Sequence, residues 1–451
     1  MSTHLDPMTK SPAGRTDPAL HTERSTTMQT TAPTTARHPG EIGAERAASL
    51  TLDGLTKRFG TAAAVDGVSL HVPAGAFLVL LGPSGCGKST TLRMLAGLEE
   101  PSAGDVLFGG RVIARGGGTS VPASRRNAGL VFQSYALWPH KTVAQNVEWP
   151  LRVAKTPRRR REARVAEVLE LLGIAELASR YPGEISGGQQ QRTAIARMIA
   201  PEPEVLLFDE PLSNLDAKLR VETRSELMRI HRATGATSVY VTHDQVEAMT
   251  MATHIALMRD GRIEQFGTPR ELIEKPATAF AATFMGTPPA NVIDGVVRAG
   301  RLMLGGVDAG EAPAGVVERA GGPGGPSGKV PVRALYRSGS LALVQAGSLR
   351  GEPGAPWGEP GAPSDAYVRG GRRVLPGTLV DQVPMAERWV VGVDLADGTR
   401  VHVTMDEPCD AATGESVAVQ LPAAPEVLFD EAGERIPGTG SGGSADAEGS
   451  R

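Results

Sequence analysis

The sequence predicts an α/β domain of the P-loop type that carries a helical subdomain and is followed by a small all-β domain. Three observations predict it. The apolar run Phe77-Leu78-Val79-Leu80-Leu81 precedes Gly82-Pro83-Ser84-Gly85-Cys86-Gly87-Lys88-Ser89, and Thr90-Thr91-Leu92-Arg93-Met94-Leu95 follows, which reads as strand, glycine loop and helix. Apolar runs then alternate with helical stretches to about residue 290, the pattern of a parallel sheet covered by helices. Beyond Asn291, short alternating runs separated by Gly/Pro clusters replace that pattern.

In order along the chain, Leu50-Thr51-Leu52 and Val68-Ser69-Leu70-His71-Val72 read as strands of a mixed sheet that leads into the glycine loop. Gly104-Asp105-Val106-Leu107-Phe108 is a further strand, and Gly129-Leu130-Val131-Phe132-Gln133 reads as a buried one. From Pro157 to about Arg180 the spacing of Val165, Val168, Leu169 and Leu172 predicts a helix, with the basic run Arg158 to Arg161 on its solvated face. Val205-Leu206-Leu207-Phe208 and Ser238-Val239-Tyr240-Val241 complete the buried strands. Farther on, Trp389 to Val393 and Val401 to Met405 flank Asp397-Gly398, a hairpin signal. The boundaries expected are a disordered extension over 1–47, an α/β domain over 48–290 with its helical subdomain at about 134–200, a β-rich domain over 291–436, and a disordered tail over 437–451.

A chain of 451 residues is too long for one core. Its 55 glycines and 34 prolines exceed what a compact fold needs and point to irregular segments. A net charge of −3 predicts no general affinity for nucleic acid or anionic lipid. Only Cys86 and Cys409 are present, far apart, so no disulfide framework is available and a reducing cytoplasm is expected. There is no uninterrupted apolar run of about 18 residues and no apolar core of a secretory signal near the start.

The glycine loop has a definite chemistry. Successive backbone N–H groups turn inward around phosphate oxygens at the positive end of a helix dipole, Lys88 reaches the β- and γ-phosphates, and the Ser89 hydroxyl can hold Mg²⁺. Gly82, Pro83, Ser84, Gly85, Cys86, Gly87, Lys88, Ser89 and Thr90 are thus the candidate nucleotide contacts. The Val205 to Phe208 strand ends in Asp209-Glu210. Asp209 can share the Mg²⁺ shell, and Glu210 can polarise an attacking water. Gln133 ends its own strand and can reach Mg²⁺ or that water, while His243 can contact the γ-phosphate. A lone Gln or His is more often structural, but both stand at the carboxyl ends of strands, where α/β sheets bind ligands. Ile185-Ser186-Gly187-Gly188-Gln189-Gln190-Gln191-Arg192 opens another helix with glycines, so Ser186 and the N–H groups of Gly187 and Gly188 make a second phosphate-binding surface. One molecule needs one such surface; a second copy makes sense of the other.

These segments together resemble an ATP-binding-cassette ATPase of a bacterial importer, most similar to the maltose and multiple-sugar class. The resemblance rests on Gly82 to Ser89, Val131 to His140, Ser186 to Gln189 and Leu206 to Glu210. It continues through Pro211 to Arg220 and Thr242 to Met249. It runs from about Leu50 to Asn291. Ile185 stands where the family has Leu, a swap of similar volume. The resemblance implies ATP and Mg²⁺ as cofactors, with Phe59 stacked on adenine and Gln189 joining the signature contacts. It implies that Ser213 to Asp216 form a loop crossing to a second ATPase subunit, a homodimer or a sister chain. Gln133 to His140 with Val143 to Val147 would receive a short helix of a transmembrane permease subunit, with Tyr135, Leu137 and Trp138 as exposed anchors. An extracytoplasmic solute-binding protein would act through that permease, and the chain would lie at the cytoplasmic face of the membrane.

The C-terminal part resembles the OB-like β-barrel regulatory domain of these importers, through Gly414 to Val419 and Val427 to Asp430. Arg333-Ala334-Leu335 departs from the family's Arg-Pro-Glu run. Phe284 to Asn291 resembles the junction of sugar and glycerol-phosphate importers and favours a carbohydrate cargo, with iron, polyamine and sulfate as alternatives. A soluble cassette ATPase acting on nucleic acid or the ribosome usually carries a coiled-coil insertion or two cassettes. This chain has one phosphate loop, one signature and no heptad run.

Overall fold

The structure, a computed structural model, describes residues 47–213, 216–313, 315–316, 329–345, 368–369 and 372–439. The stretches expected to be disordered, 1–47 and 437–451, lie outside the described residues apart from Ala47 and residues 437–439, as do nearly all of the two Gly/Pro clusters.

The chain opens with the hairpin β1 (Leu50–Phe59) and β2 (Ala62–Val72), turned at Gly60 with φ 59°. β3 (Phe77–Leu81) runs through the glycine loop into α1 (Lys88–Ala96), followed by β4 (Ala103–Phe108), β5 (Arg111–Arg115) and β6 (Ala128–Val131). Three helices come next, α2 (Val143–Val153), α3 (Arg158–Leu171) and α4 (Gly187–Ile199). β7 (Val205–Asp209), α5 (Ala217–Thr234), β8 (Thr237–Val241), α6 (Gln245–Met251), β9 (His254–Arg259) and β10 (Arg262–Gly267) complete the α/β part, and α7 (Pro269–Glu274) and α8 (Ala279–Phe284) lead out of it.

Six strands form one sheet in the order β10-β9-β3-β8-β7-β6, parallel except for β10. The period-two alternation of its strands feeds two cores. Phe77, Val79, Leu81, Phe208 and Tyr240 point into one, shared with α2, α3 and α4. Leu78, Leu80, Leu207, Val239 and Val241 point into the other, shared with α1 and the first strands.

Three expectations are corrected here. The strands before the glycine loop do not join its sheet: β1 and β2 pair with β4 and β5 in a separate antiparallel sheet ordered β2-β1-β4-β5, because their alternation buries one face against α1 rather than two. The strand expected at Gly129 to Gln133 ends at Val131 and, among the described residues, is the edge of the parallel sheet, paired to β7 alone; only Val131 of it is fully buried. The helix expected from Pro157 to about Arg180 stops at Leu171, because Gly173 takes a left-handed φ of 61° and turns the chain into a short 3₁₀ segment, Ala175–Leu177.

Beyond α8, apart from a helical piece at 315–316, the described elements are strands. β11 (Asn291–Arg298), β12 (Arg301–Leu304), β13 (Val307–Glu311), β14 (Val330–Tyr336), β15 (Ala342–Gln345), β16 (Val368–Arg369), β17 (Arg372–Met385), β18 (Arg388–Leu395), β19 (Arg400–Met405), β20 (Ser416–Gln420) and β21 (Val427–Phe429) form two sheets. One is ordered β13-β12-β11-β14-β21, the other β15-β20-β17-β18-β19 with β16 on β17. The Asp397-Gly398 turn joins β18 and β19 as expected, with Gly398 at φ 84°. Their facing side chains make one core around Ile293, Leu379, Val391 and Val419. A small apolar cluster, Ala279, Ala282, Leu335 and Phe429, seats this part on α8.

Candidate nucleotide site

Parallel packing places the carboxyl ends of β3, β6, β7 and β8 along one edge, where a doubly wound sheet binds its ligand. At the end of β3 the loop is shaped by glycine. Gly82 has φ 149°, and a Cβ there would lie 2.2 Å from the Met258 carbonyl oxygen. One on Gly87, with φ 100°, would lie 2.3 Å from that of Ala64 in β2. Nothing stands within 4 Å of a Cβ on Gly85, and Pro83, Ser84 and Gly85 are exposed, so the mouth of the loop is open. α1 begins at Gly87 without a side-chain cap, whereas α2 and α4 both carry capping boxes. Its first-turn N–H groups therefore face the loop mouth without a side-chain acceptor.

Lys88 is buried, and its ammonium donates to the carbonyls of Gly82 at 2.7 Å and Pro83 at 2.8 Å. The buried Cys86 thiol lies 3.7 Å from that ammonium, and burial pushes its pKa up, which outweighs the opposing effect of Lys88. Ser89 Oγ donates to Asp209 Oδ1 at 2.8 Å, so the first turn of α1 and the end of β7 meet in a pair of oxygen ligands; Thr90 is half-buried beside them. The next residue, Glu210, takes the left-handed φ of 44°, and its N–H donates to the Val241 carbonyl of β8 at 3.2 Å. That turn aims its carboxylate at His243, whose Nδ1 is 3.5 Å from Glu210 Oε1.

Gln133 stands two residues beyond the end of β6, and its amide donates to Ser213 Oγ at 3.0 Å; Ser213 Oγ in turn donates to the Glu210 carbonyl at 2.9 Å. The Gln133 amide is thereby linked to the loop behind Glu210. Phe59 ends β1 with its ring half exposed and the Lys57 ammonium 5.0 Å from its centroid. The hairpin that carries it packs against the loop at Ala64 and Val65.

The signature residues form a second, separate cluster. Ser186 caps α4: its Oγ accepts from the Gln189 N–H, and the Gln189 side chain accepts from the Ser186 N–H at 2.9 Å. Asp216 caps α5 by accepting from the Leu219 N–H at 2.9 Å. Ser186, Gly187, Gly188, Gln189 and Asp216 line one open groove of about 320 Å³. A Cβ on Gly187 would meet no described residue within 4 Å, and its φ is not left-handed, so none of the described residues requires glycine there.

A family model for ABC transporters matches residues 65–213. Over 251 residues the chain is 53% identical to the trehalose/maltose import ATP-binding protein of Thermococcus litoralis, covering 55% of this chain and 68% of that one. It is 52% identical over 248 residues to the sn-glycerol-3-phosphate import ATP-binding protein of Rhizobium meliloti, covering 55% and 70%. The chain belongs to the ABC transporter family. A solved dimeric structure of the ATP-binding cassette MJ0796, bound to ADP and Pi, is 32% identical, spans 49% of this chain and 99% of that chain, and superposes with a TM-score of 0.44. As an ABC protein the chain binds ATP and is an ATPase coupled to transport. No helix among its described residues is long and apolar enough to cross a membrane.

Within the cassette, part of the surface expected to meet a permease is turned inward. Tyr135 is buried, as are Val143 and Val147, because α2 spends that face on the core of the three helices. Tyr135 and Ala136 are both left-handed, with φ 60° and 47°, and Arg197 of α4 donates to both carbonyls, at 2.8 and 2.6 Å, while lying over the Trp138 ring. Phe132 and Trp149 are exposed instead, the latter 5.7 Å from Trp138. Beside them Ala144, Gln145 and Glu148 of α2 and Glu162, Val165 and Leu169 of α3 line a mainly apolar groove of about 360 Å³ with an acidic rim. Asn146, fully buried, ties this loop down by accepting from the Trp138 N–H and donating to the carbonyls of Trp138, Lys141 and Thr142. Sequence reasoning missed Asn146, Arg197 and the hydroxyl of Ser213; the polar residue at a core-facing helical position was the only signal for Asn146.

Proposed function

We propose that this ABC ATPase is the hydrolytic subunit of an importer, working in pairs at the cytoplasmic face of a membrane beneath two permease subunits. The observation that carries it is the division of one site into two separate clusters. The loop, the Ser89–Asp209 pair and the Glu210–His243 pair share the sheet edge, while Ser186 to Gln189 and Asp216 line their own groove. Gly187, which the packing of the described residues does not demand, fits close approach by a second copy and its nucleotide. We place the ATPase domain at 48–290, its helical subdomain at about 134–200, and an OB-like regulatory domain at 291–436; the two stacked sheets support that last reading.

The residues fit a bound Mg²⁺–ATP. Ser89 and Asp209 supply hard oxygen ligands, and the glycines leave the loop backbone bare for phosphate. Mg²⁺ bound there would neutralise phosphate charge. Lys88 exchanges its two loop carbonyls for phosphate oxygens, and Phe59 offers a ring face to adenine. Glu210 takes a proton from the attacking water, His243 holds the γ-phosphate, and Gln133 senses the permease through its link to Ser213 and Glu210. Ser186 spends only a lone pair in its cap, so its O–H remains a donor for the partner's nucleotide. Electrostatic stabilisation in a closed dimer is the main demand on the protein.

The permease would place a short helix in the mainly apolar groove between α2 and α3. The cargo we propose is a carbohydrate or a glycerol-phosphate-type compound, in line with the names of the two relatives. The test is phosphate release from the chain reconstituted in vesicles with its permease, with binding proteins loaded with sugar, glycerol phosphate, iron, polyamine or sulfate added in turn. Stimulation by a sugar or glycerol-phosphate carrier, lost in Glu210→Gln, supports the proposal. Stimulation by another carrier changes the cargo, and hydrolysis without any permease association overturns the importer reading.

A further inference from the structure

We infer that Glu247 is a positioning residue for hydrolysis, setting the place of His243 through Thr242. The inference rests on the role proposed above for His243 and concerns how that role is built.

Glu247 is the third residue of α6, whose cap is Asp244. In α2, α4 and α7 the residue at this position folds back onto the backbone N–H of the cap, as Gln145, Gln189 and Glu271 do. Glu247 does not. Its side chain is buried, and its Oε2 accepts from Tyr240 Oη at 2.9 Å and from Thr242 Oγ1 at 2.7 Å. The N–H of Asp244, which a capping box would give to Glu247, goes to Thr242 Oγ1 instead, at 2.9 Å.

A hydroxyl has one hydrogen. Since Thr242 gives that hydrogen to Glu247, its lone pair faces Asp244, and the residues on either side of His243 are drawn together. The loop is anchored at its base as well, where the Thr242 N–H donates to the Leu80 carbonyl at 3.2 Å. At its far end Asp244 Oδ1 accepts from Val246 and Glu247 N–H at 2.7 and 3.2 Å. His243 is thus pinched out of a braced turn toward Glu210, with its ring otherwise exposed. Burying a carboxylate costs several kcal/mol unless it is well hydrogen-bonded, and this one is spent where a simple exposed box would have capped the helix equally well. Burial and the adjacent Glu247 also raise the pKa of Tyr240 well above its ordinary value, so that phenol stays a donor.

The test is steady-state ATP hydrolysis by the full chain, alongside thermal melts. Glu247→Ala and Thr242→Val should each lower kcat about tenfold or more, because a misplaced catalytic group costs rate, while KM for ATP stays within about twofold. The double variant should lose no more than either single one, since both break one relay. Glu247→Gln, whose carbonyl can accept both hydroxyls, should keep kcat within about threefold, and Tyr240→Phe, which removes the donor outside the loop, should leave kcat unchanged. If Glu247→Ala fails to fold, Thr242→Val and Glu247→Gln carry the same readings. Losses that multiply in the double variant, or a lowered melting temperature with parental kcat, would overturn the positioning role while His243→Ala remains inactive. Full activity in His243→Ala would overturn the role of His243 itself, and this inference with it.

Discussion

Arg126 is almost fully buried, and its guanidinium holds the end of the helix that begins at the phosphate loop. It donates through Nε to the Val121 carbonyl at 2.8 Å and through Nη1 to those of Met94 and Leu95 at 2.5 and 3.1 Å, the last turn of α1. Burial lowers its pKa and nearby Glu100 opposes this, but no ion pair to Arg126 is present among the described residues. Arg126→Ala removes three hydrogen bonds from a charged donor, each worth ~1.5–3 kcal/mol. Relief from burying an unpaired charge returns several kcal/mol. The net loss is about 3 kcal/mol, which for a domain of this size lowers Tm by ~6–12 °C. The structure supplies an independent check: a Cβ on Gly97, at φ 80°, would lie 2.5 Å from Arg126 Nε. Gly97→Ala should therefore be costly in the parent and cost less in the Arg126→Ala background, where its backbone strain and a 3.1 Å approach to Ala123 Cα remain. Thermal unfolding followed by circular dichroism measures all four proteins. A Tm for Arg126→Ala within about 2 °C of the parent, or additive losses in the double variant, would refute the reasoning.

Two further outcomes follow from the same packing. His231 is buried against the edge of Phe77 and bonded to Ser238 Oγ, and burial lowers its pKa below the ordinary 6.5. The unfolded chain then binds a proton that the folded chain refuses, so stability is full above about pH 6.5 and falls as pH drops toward the folded value. Denaturant melts of His231→Gln should show a flatter profile across that window, and an unchanged slope would count against the assignment. Arg197→Lys cannot serve both left-handed carbonyls and the Trp138 face at once. Chymotryptic cleavage between Gln133 and Lys141 should rise about tenfold; parental resistance would mean that Arg197 does not hold this loop.

What the sequence made legible, and what it hid, divides along physical lines. Phe77 to Leu81, Val205 to Phe208 and Ser238 to Val241 are continuous apolar runs because both of their faces are covered, and such runs announce themselves. Asp209, Glu210 and His243 were readable because each stands at the end of such a strand or within two residues of it. Alternation tells which face of a strand is buried but not which strand lies beside it, so β1 and β2 were assigned to the wrong sheet. Tyr135 looked like an exposed anchor because nothing local shows that two left-handed residues turn it inward, a conformation held from α4 by a residue 62 positions away. Val143 and Val147 have helical spacing, which marks one face without saying whether core or partner covers it. Gly173 was a legible stop signal that the apolar periodicity through Leu172 outweighed.

The proposed function requires two copies to complete each nucleotide site, with Glu210 as the group that ends the closed state. Its most direct measurement is the mass of the Glu210→Gln chain in solution by light scattering, with and without Mg²⁺–ATP. The expected result is a shift from one copy to two on adding ATP, with about one nucleotide retained per copy, and loss of that shift when Ser186→Arg fills the signature groove. A Glu210→Gln chain that binds ATP yet keeps the same mass, or a dimer indifferent to Ser186→Arg, would contradict it.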